Sequence, residues 1–277
     1  MCPSGPHRSC LHRPRQLGRH QPPGAEPTHG AACSRRAGHK RRRIQGSSGL
    51  RIRSAHMIEA DILQDIKSNQ PIMAHPPQNE SDITFYDWLN EVLKSDKGIK
   101  LDFKSLEAVG PSIKLLELKK EYLNRPVWLN ADILPGPGGT TSNVVDAQRF
   151  LEMVDSFIPG AVLSLGWTTS FSRDQDNYGY TWEMVKQMQE LCKALQNTIT
   201  FPVRAALLPA SFLQLQWLLQ QSERYTLTVW TGKDDLYSLD DLLQYRRHFD
   251  KEKIFYDISE AHRTIVKKTT GSSQSQS

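Results

Sequence analysis

A regular alternation of strand and helix patterns, starting at residue 54, is the feature that most constrains the fold of this chain. Short aliphatic runs are each followed by a longer segment with apolar residues at helical spacing. Such alternation predicts a parallel sheet covered by helices. We predict seven strands, at 57–63, 98–104, 126–134, 161–167, 200–207, 225–231 and 253–258, and six intervening helices, at 82–96, 112–123, 143–158, 181–196, 211–223 and 238–249.

A TIM-type (β/α)8 barrel is the fold that this count favours, incomplete at seven of eight strands and spanning residues 54–268. A doubly wound sheet is the alternative, but no Gly-x-Gly-x-x-Gly follows the first strand, which disfavours a dinucleotide-binding version. Residues 71–75 are predicted to be a short extended piece outside the alternation. Ser81 and Ser238 are predicted to cap the helices that follow them.

The first 53 residues differ in composition from the rest. They hold 12 Lys and Arg against one acidic residue, whereas the remainder holds 23 against 29. They contain no aromatic residue and are rich in Pro, Gly and Arg, so they cannot bury enough surface to offset the entropy of ordering. We predict a disordered basic tail at 1–53 and a second disordered segment at 269–277. The basic cluster 40–43 allows nuclear import or nucleic-acid binding, although a solvated tail is the favoured interpretation.

The chain shows no secretion or membrane signal. No apolar core of a signal peptide stands near the start, and no run of about 18 apolar residues predicts a membrane span. Of four cysteines, three lie in the predicted tail and Cys192 lies in a predicted helix, so no disulfide framework or Cys/His metal spacing is formed. A reducing, cytoplasmic compartment is the expectation.

Polar pairs interrupt the first three predicted strands. Side chains two apart on a strand share a face, so each pair projects together. Parallel strands are normally continuous apolar runs, and three such pairs would be costly in a core. One buried carboxylate alone is more often part of a salt bridge than of a catalytic site. The pairs are Glu59 with Asp61, Asp102 with Lys104, and Asn130 with Asp132.

Further polar or aromatic residues stand near the ends of later strands: Arg204, Trp230 and Asp257. The carboxyl ends of barrel strands form active sites, so we predict that these residues share one rim with the polar pairs. Arg204 could instead supply a structural salt bridge, and Trp230 could belong to the core. His75, followed by two prolines, lies between the first strand and its helix and is a candidate general acid or base.

Glu59, Asp61 and Asp102 together offer three hard oxygen ligands. Such ligands suit Mg²⁺ or Ca²⁺ and not zinc, which prefers nitrogen and sulfur. Lys104 and Arg204 would add positive charge beside the metal, and a site of this kind attracts an anion such as phosphate. We expect Asn130 and Trp230 to contact the same ligand.

Several segments resemble the menorin family of animal proteins, and its short single-domain branch in particular. The resemblance spans about residues 54–260 and implies an association with neuronal patterning and photoreceptor maintenance. The segments that carry it are MIEADIL, PIMAHPP, GIKLDFKS, PVWLNADILPGP, LSLGWTT, FPVRAAL, LTVWTGKDD and IFYDI.

The menorin family in turn resembles the glycerophosphodiester phosphodiesterases, which are TIM barrels. Their E-x-D metal motif is matched by Glu59 and Asp61, and their E-x-K motif by Asp102 and Lys104. Their H-D motif is matched by His75, with Pro76 in place of the acid. Further matches to their W-T and T-D motifs are Trp230-Thr231 and Tyr256-Asp257.

One departure from both families precedes residue 57. Each family begins with a strand that carries a histidine, and here the basic tail stands in its place; His56 does not match that histidine. A barrel without this strand has two open edges, which associate unless the tail or a partner covers them. The resemblance implies a metal-dependent phosphodiesterase-like hydrolase that keeps one of two histidines. The alternative is a non-catalytic protein that uses the barrel rim to bind a ligand or a protein partner.

Overall fold

The computed structural model describes residues 56–155, 160–174 and 176–268. The predicted tail at 1–53, the segment 269–277 and the last residues of the predicted helix 143–158 lie outside these ranges. The strands are β1 (Met57–Gln64), β2 (Pro71–Met73), β3 (Gly98–Phe103), β4 (Val127–Pro135), β5 (Val162–Thr168), β6 (Ile199–Arg204), β7 (Tyr225–Trp230) and β8 (Ile254–Asp257).

All eight strands form one sheet in the order β2-β1-β3-β4-β5-β6-β7-β8. β2 pairs antiparallel with the end of β1, where Ile62 lies opposite Met73. The other seven strands pair in parallel and correspond to the seven predicted strands, so the predicted α/β class is confirmed. Within the described residues β8 pairs with β7 alone, and β1 pairs with β2 and β3. Over these ranges the sheet is therefore a curled half-barrel, and the described strands do not close into a complete TIM barrel.

Seven α-helices within the described residues connect or follow the strands. They are α1 (Phe85–Val92), α2 (Val109–Leu118), α3 (Ala147–Asp155), α4 (Trp182–Cys192), α5 (Phe212–Gln220), α6 (Leu239–His248) and α7 (Glu260–Lys268). No helix in the described ranges combines the length and the apolar character that a membrane crossing requires.

One predicted helix cap is wrong, one is confirmed, and one helix was missed. Thr84, not Ser81, caps α1: its hydroxyl accepts from the Asp87 amide, while the Ser81 hydroxyl accepts from Ile83 in the preceding turn. Ser238 caps α6 as predicted, and its hydroxyl accepts from the Asp240 amide. α7 was not predicted, because it presents few apolar residues.

The two faces of the sheet differ in chemistry. The outward face is apolar, with Leu101, Leu129 and Leu165 fully buried beneath the helices. The inward face carries the polar residues of β1, β3 and β4. β6 ends at Arg204 and turns into a 3-10 segment at Ala205–Leu207, whereas a strand to residue 207 was predicted. This early end sets Arg204 at the carboxyl edge of the sheet.

Candidate metal and anion site

The register of β1, β3 and β4 brings the predicted polar residues side by side. Glu59 lies opposite Lys100, Asp61 lies opposite Asp102, and Asp102 in turn lies opposite Asn130. All five point to the inside of the half-barrel, because residues two apart on a strand share a face and their intervening neighbours are apolar core residues. The inside of these three strands is therefore a continuous polar surface.

Glu59, Asp61 and Asp102, here called the carboxylate cluster, converge on one point. One oxygen from each lies within 4.8 Å of the others. All three residues are buried, with 9%, 6% and 8% of their surfaces exposed. The predicted convergence of these carboxylates is confirmed. Hard oxygen donors at this spacing make the cluster the candidate holder of a divalent cation.

Two lysines lie among the carboxylates. Lys104 Nζ is 2.6 Å from Asp102 Oδ2 and 3.5 Å from Asp61 Oδ1, and Lys100 Nζ is 3.1 Å from Glu59 Oε1. Burial alone would lower the pKa of Lys100, but the surrounding carboxylates outweigh burial and raise it to about 12. The same balance raises the pKa of Lys104. Both lysines are therefore cations at neutral pH.

The carboxylates respond to the lysines unequally. Burial would raise the pKa of Asp102, but Lys104 and Lys100 outweigh it and hold that pKa below its usual value. Asp132 makes no such close ion pair with any other described residue. Burial, together with repulsion from Asp102 and Glu59, raises the pKa of Asp132 to about 6, although both lysines oppose the rise. Negative charge is thus in surplus on this part of the inner face.

A glycine on β5 provides the space for Asp132. Gly166 lies opposite Asp132 in the ladder, and a Cβ built there would stand 2.3 Å from Asp132 Oδ1 and 3.0 Å from Pro202 Cγ. No side chain fits at that distance without a shift of the carboxylate. The absence of a side chain at Gly166 therefore lets the Asp132 carboxylate turn inward beside the carboxylate cluster.

A chain of hydrogen bonds fixes the amide of Asn130. Ser164 Oγ donates to Asn130 Oδ1 at 2.5 Å, and Asn130 Nδ2 donates to Asp102 Oδ1 at 2.9 Å. All three residues are buried. Asn130 thus supports the cluster by orienting one of its carboxylates, in addition to the ligand contact that the sequence predicts for it.

Arg204 makes a separate and self-contained ion pair. Its Nε and Nη2 donate to the two carboxylate oxygens of Asp235 at 2.8 and 2.5 Å, and its Nη1 donates to the carbonyl oxygen of Thr169. The Gly232 amide also donates to Asp235, at 2.7 Å. The side chain of Asp235 is 1% exposed. The Arg204 guanidinium, which the sequence predicts to hold an anion, is thus bound to a buried carboxylate. We call Arg204 and Asp235 the arginine pair.

Trp230, Asp257 and His75 are the remaining predicted residues. Trp230 packs beside Arg204, with the guanidinium carbon 5.2 Å from its ring centroid. Asp257 lies opposite Trp230 at the end of β8. His75 follows β2 and is half-buried. Its Nδ1 is 2.5 Å from the carbonyl oxygen of Pro76.

Two residues of these groups were not predicted. Lys100 could have been found, because Lys100, Asp102 and Lys104 form a run at two-residue spacing on one face of a strand. Asp235 carries no such signal. It lies in the loop after β7 and gains its role only when the fold brings that loop to Arg204.

Comparison with known proteins identifies the relatives of this chain. The sequence profile described as Menorin N-terminal domain matches residues 41–263. The protein named FAM151B, from Homo sapiens, is 56% identical over 221 residues, which cover 79% of this chain and 80% of that protein. Both matches extend over most of the chain, and the profile match at 41–263 includes every strand and every residue of the site described above. The chain therefore belongs to the menorin family.

Proposed function

We propose that this protein binds a divalent cation, Mg²⁺ or Ca²⁺, through the carboxylate cluster and an anionic, phosphodiester-type ligand beside it. The observation that supports the proposal is the convergence of three buried carboxylates within 4.8 Å. Burying three acids so close together is costly unless cations relieve their repulsion.

The charge balance also favours a cation. On β1, β3 and β4, four carboxyl groups, those of the cluster and of Asp132, face the ammonium groups of Lys100 and Lys104. Ionisation of all four leaves a deficit of two positive charges, which one divalent ion removes. The Lys104 ammonium group is paired with Asp102 and Asp61. A cation bound by these carboxylates would displace the ammonium group, which could then contact an anionic ligand.

A hydrolase is the first candidate activity. A cation held by the cluster supplies Lewis-acid polarisation of a phosphoryl oxygen. Lys104 neutralises the charge of the bound phosphodiester, and Asn130 holds Asp102 in place. Trp230 lies at the rim as a platform for the ligand. His75, at the end of β2, acts as the proton donor or acceptor.

A non-catalytic binding protein is the second candidate, and two observations favour it. Arg204 is engaged in the arginine pair, and the His75 ring contacts the Pro76 carbonyl oxygen. Two groups that phosphodiester cleavage would employ are thus directed elsewhere. In this case the rim holds an anionic ligand or a protein partner without turning it over.

Thermal unfolding with added Ca²⁺ or Mg²⁺ tests the cation site. A ligand that binds only the folded state stabilises it, by about 2.7 kcal/mol at a hundred times its Kd. We expect millimolar Ca²⁺ to raise the unfolding temperature of the wild-type chain and to have little effect on Glu59→Gln or Asp61→Asn. Glu117→Gln, on the exposed side of α2, is the matched control. An unchanged wild-type unfolding temperature with both ions would contradict the proposal.

Hydrolysis assays separate the two candidates. A hydrolase releases product from glycerophosphodiesters in the presence of the cation, and Lys104→Met and His75→Ala lower that rate. Cation binding without turnover supports the binding protein. In that case Lys104→Met weakens retention of a non-hydrolysable phosphodiester analogue, while His75→Ala leaves retention unchanged.

A further inference from the structure

A cavity of about 730 Å³ opens toward the amino ends of the strands. Its lining includes Met57, Val162 and Ile254, which begin β1, β5 and β8. Arg204 and Trp230 stand at the opposite, carboxyl ends of their strands and are not among the residues that line it. The volume is typical of small-molecule sites, which measure about 300–1,000 Å³. The cavity is therefore a second candidate ligand site, apart from the rim.

Most of the cavity wall is apolar. Trp128 on β4 and Phe255 on β8 meet edge to face in this wall, with ring centroids 5.3 Å apart. Phe255 is nevertheless 44% exposed, so it leaves apolar surface that a ligand would stabilise by covering it. Further apolar side chains of the wall come from β1, β5, β8 and α7: Met57, Val162, Ile254 and Val266. The wall therefore suits a ligand with an extended apolar part.

Two threonines of β7 also line the cavity. The Thr226 hydroxyl donates to the carbonyl oxygen of Ile199 at 3.1 Å, and the Thr228 hydroxyl is hydrogen-bonded to that of Thr200 at 2.7 Å. Both hydroxyls are thus already hydrogen-bonded within the sheet. These threonines therefore place little demand on a ligand for polar groups.

The charged residues of the wall leave a small positive surplus. Four Lys or Arg residues and three acidic residues line the cavity, so one net positive charge remains when its histidine is neutral. Lys100 is paired with Glu59 at 3.1 Å, and Lys251 is followed directly by Glu252, with both of these exposed. A cavity with an apolar wall and a positive surplus favours an anionic ligand over a neutral or cationic one.

Two hydrogen-bond donors of the lining lack an acceptor. Arg246 Nε on α6 and the Tyr256 hydroxyl oxygen on β8 are buried, and neither has a hydrogen-bond partner among the described residues. Burial raises the pKa of Tyr256 to about 12, and the charge of Arg246 opposes the rise, which requires the guanidinium to lie near the hydroxyl. Because a buried donor without an acceptor is costly, an oxygen that both groups could reach would stabilise them. A guanidinium binds an anionic oxygen most strongly.

We propose that this cavity binds an amphiphilic anion, an alkyl chain that ends in a carboxylate or phosphate group. The chain lies along Trp128 and Phe255, and the head group accepts hydrogen bonds from Arg246 and Tyr256. Arg246 is only half-buried, so its guanidinium can turn toward the head group as the ligand enters. The site requires no metal ion and does not depend on cation binding by the carboxylate cluster.

Isothermal titration calorimetry of the full chain with dodecanoate or dodecyl phosphate tests this site. The ligands are kept below the concentrations at which they form micelles. EDTA in the buffer removes divalent cations, so a failure of the proposed cation site leaves this result unaffected. We expect at least one of the two anions to bind at least about tenfold more tightly than dodecanol, which lacks the charge. The anion that binds more tightly identifies the preferred head group.

Substitutions in the lining locate the binding. We expect Arg246→Met to weaken binding of the anion at least about tenfold, and Tyr256→Phe to weaken it about twofold to tenfold. Phe255→Asp places a carboxylate against the alkyl chain and should abolish binding. Arg247→Met is the matched control, because Arg247 is the exposed neighbour of Arg246 and does not line the cavity. This control should bind as the wild type does.

Four results would overturn the proposal. The first is a lack of binding by both anions, and the second is dodecanol binding as tightly as the anions do. The third is an equal loss of binding in Arg246→Met and Arg247→Met. The fourth is a wild-type dimer in sedimentation that dodecanoate does not dissociate, which assigns the cavity to a second copy. The comparison of anions with dodecanol uses the wild-type protein alone, so it decides the matter even if a variant fails to fold.

Discussion

The inner face of the half-barrel carries charge in two regions, and the regions are organised differently. In the arginine pair, one guanidinium meets one carboxylate through two hydrogen bonds, so charge is balanced and geometry is complete. In the carboxylate cluster, two lysines serve four carboxyl groups, and the least compensated of these, Asp132, has a pKa raised to about 6. The balanced pair fits a structural role. The surplus of negative charge in the carboxylate cluster fits a cation-binding role.

The largest expected effect is on the balanced pair. Arg204→Met leaves the buried Asp235 carboxylate without its partner, and we expect a loss of about 3–5 kcal/mol in the free energy of unfolding, measured with urea. Arg149→Met, at an exposed position, is the control. Glu59→Gln removes charge from a region of surplus and should cost less. A larger loss for Glu59→Gln than for Arg204→Met would break the comparison.

A smaller effect is expected from filling the space beside Asp132. Gly166→Ala places a methyl group against Asp132 Oδ1, and we expect it to cost about 1–3 kcal/mol by overpacking. In an Asp132→Ala background the same substitution should cost clearly less. Equal costs in the two backgrounds, determined by urea unfolding, would show that Gly166 is not there to accommodate Asp132.

The pH dependence of Asp132 sharpens the comparison further. Its folded-state pKa of about 6 is above the unfolded value of 3.8, so its ionised form destabilises the fold. This destabilisation is full above pH 6, declines as pH falls from 6 to 3.8, and is absent below. We expect Asp132→Asn to stabilise the metal-free protein by about 1–2 kcal/mol at pH 7, since Asp132 stays partly accessible to water. If the stabilisation by Asp132→Asn did not decrease toward pH 4, the raised pKa of Asp132 would not be its cause.

The smallest expected effect concerns the ring beside Arg204. Trp230 lies 5.2 Å from the guanidinium, which supports a cation–π interaction of about 0.5–1 kcal/mol. A double-mutant cycle with Trp230→Leu and Arg204→Met should yield a coupling of that size. A coupling near zero would assign Trp230 to packing alone.

Much of the fold could be predicted, because hydrophobic periodicity is local. All seven parallel strands and the six helices between them follow from the spacing of apolar residues. The cap of α1 could not be chosen between Ser81 and Thr84, since either hydroxyl is able to accept a backbone amide. The strand count also predicted an incomplete barrel, and the described residues form a half-barrel.

The part of the site that depends on the spacing of residues along each strand could be predicted. Residues two apart on β1, β3 and β4 were expected to converge, and the carboxylate cluster does so. Whether a charged residue at the rim is already paired depends on residues in loops, as Asp235 shows for Arg204. Such a pairing decides whether the rim residue is free to bind a ligand. It could not be predicted, because loops have no hydrophobic periodicity.

The hydrogen-bonded amide of Asn130 has a consequence for how this protein can change over evolutionary time. Ser164 sets the orientation of that amide from a strand that holds no member of the carboxylate cluster. Loss of its hydroxyl would leave the amide oriented by Asp102 alone. For the proposed cation site, relatives could thus adjust the strength of binding by varying a small residue on β5, while every carboxylate of the cluster stays the same.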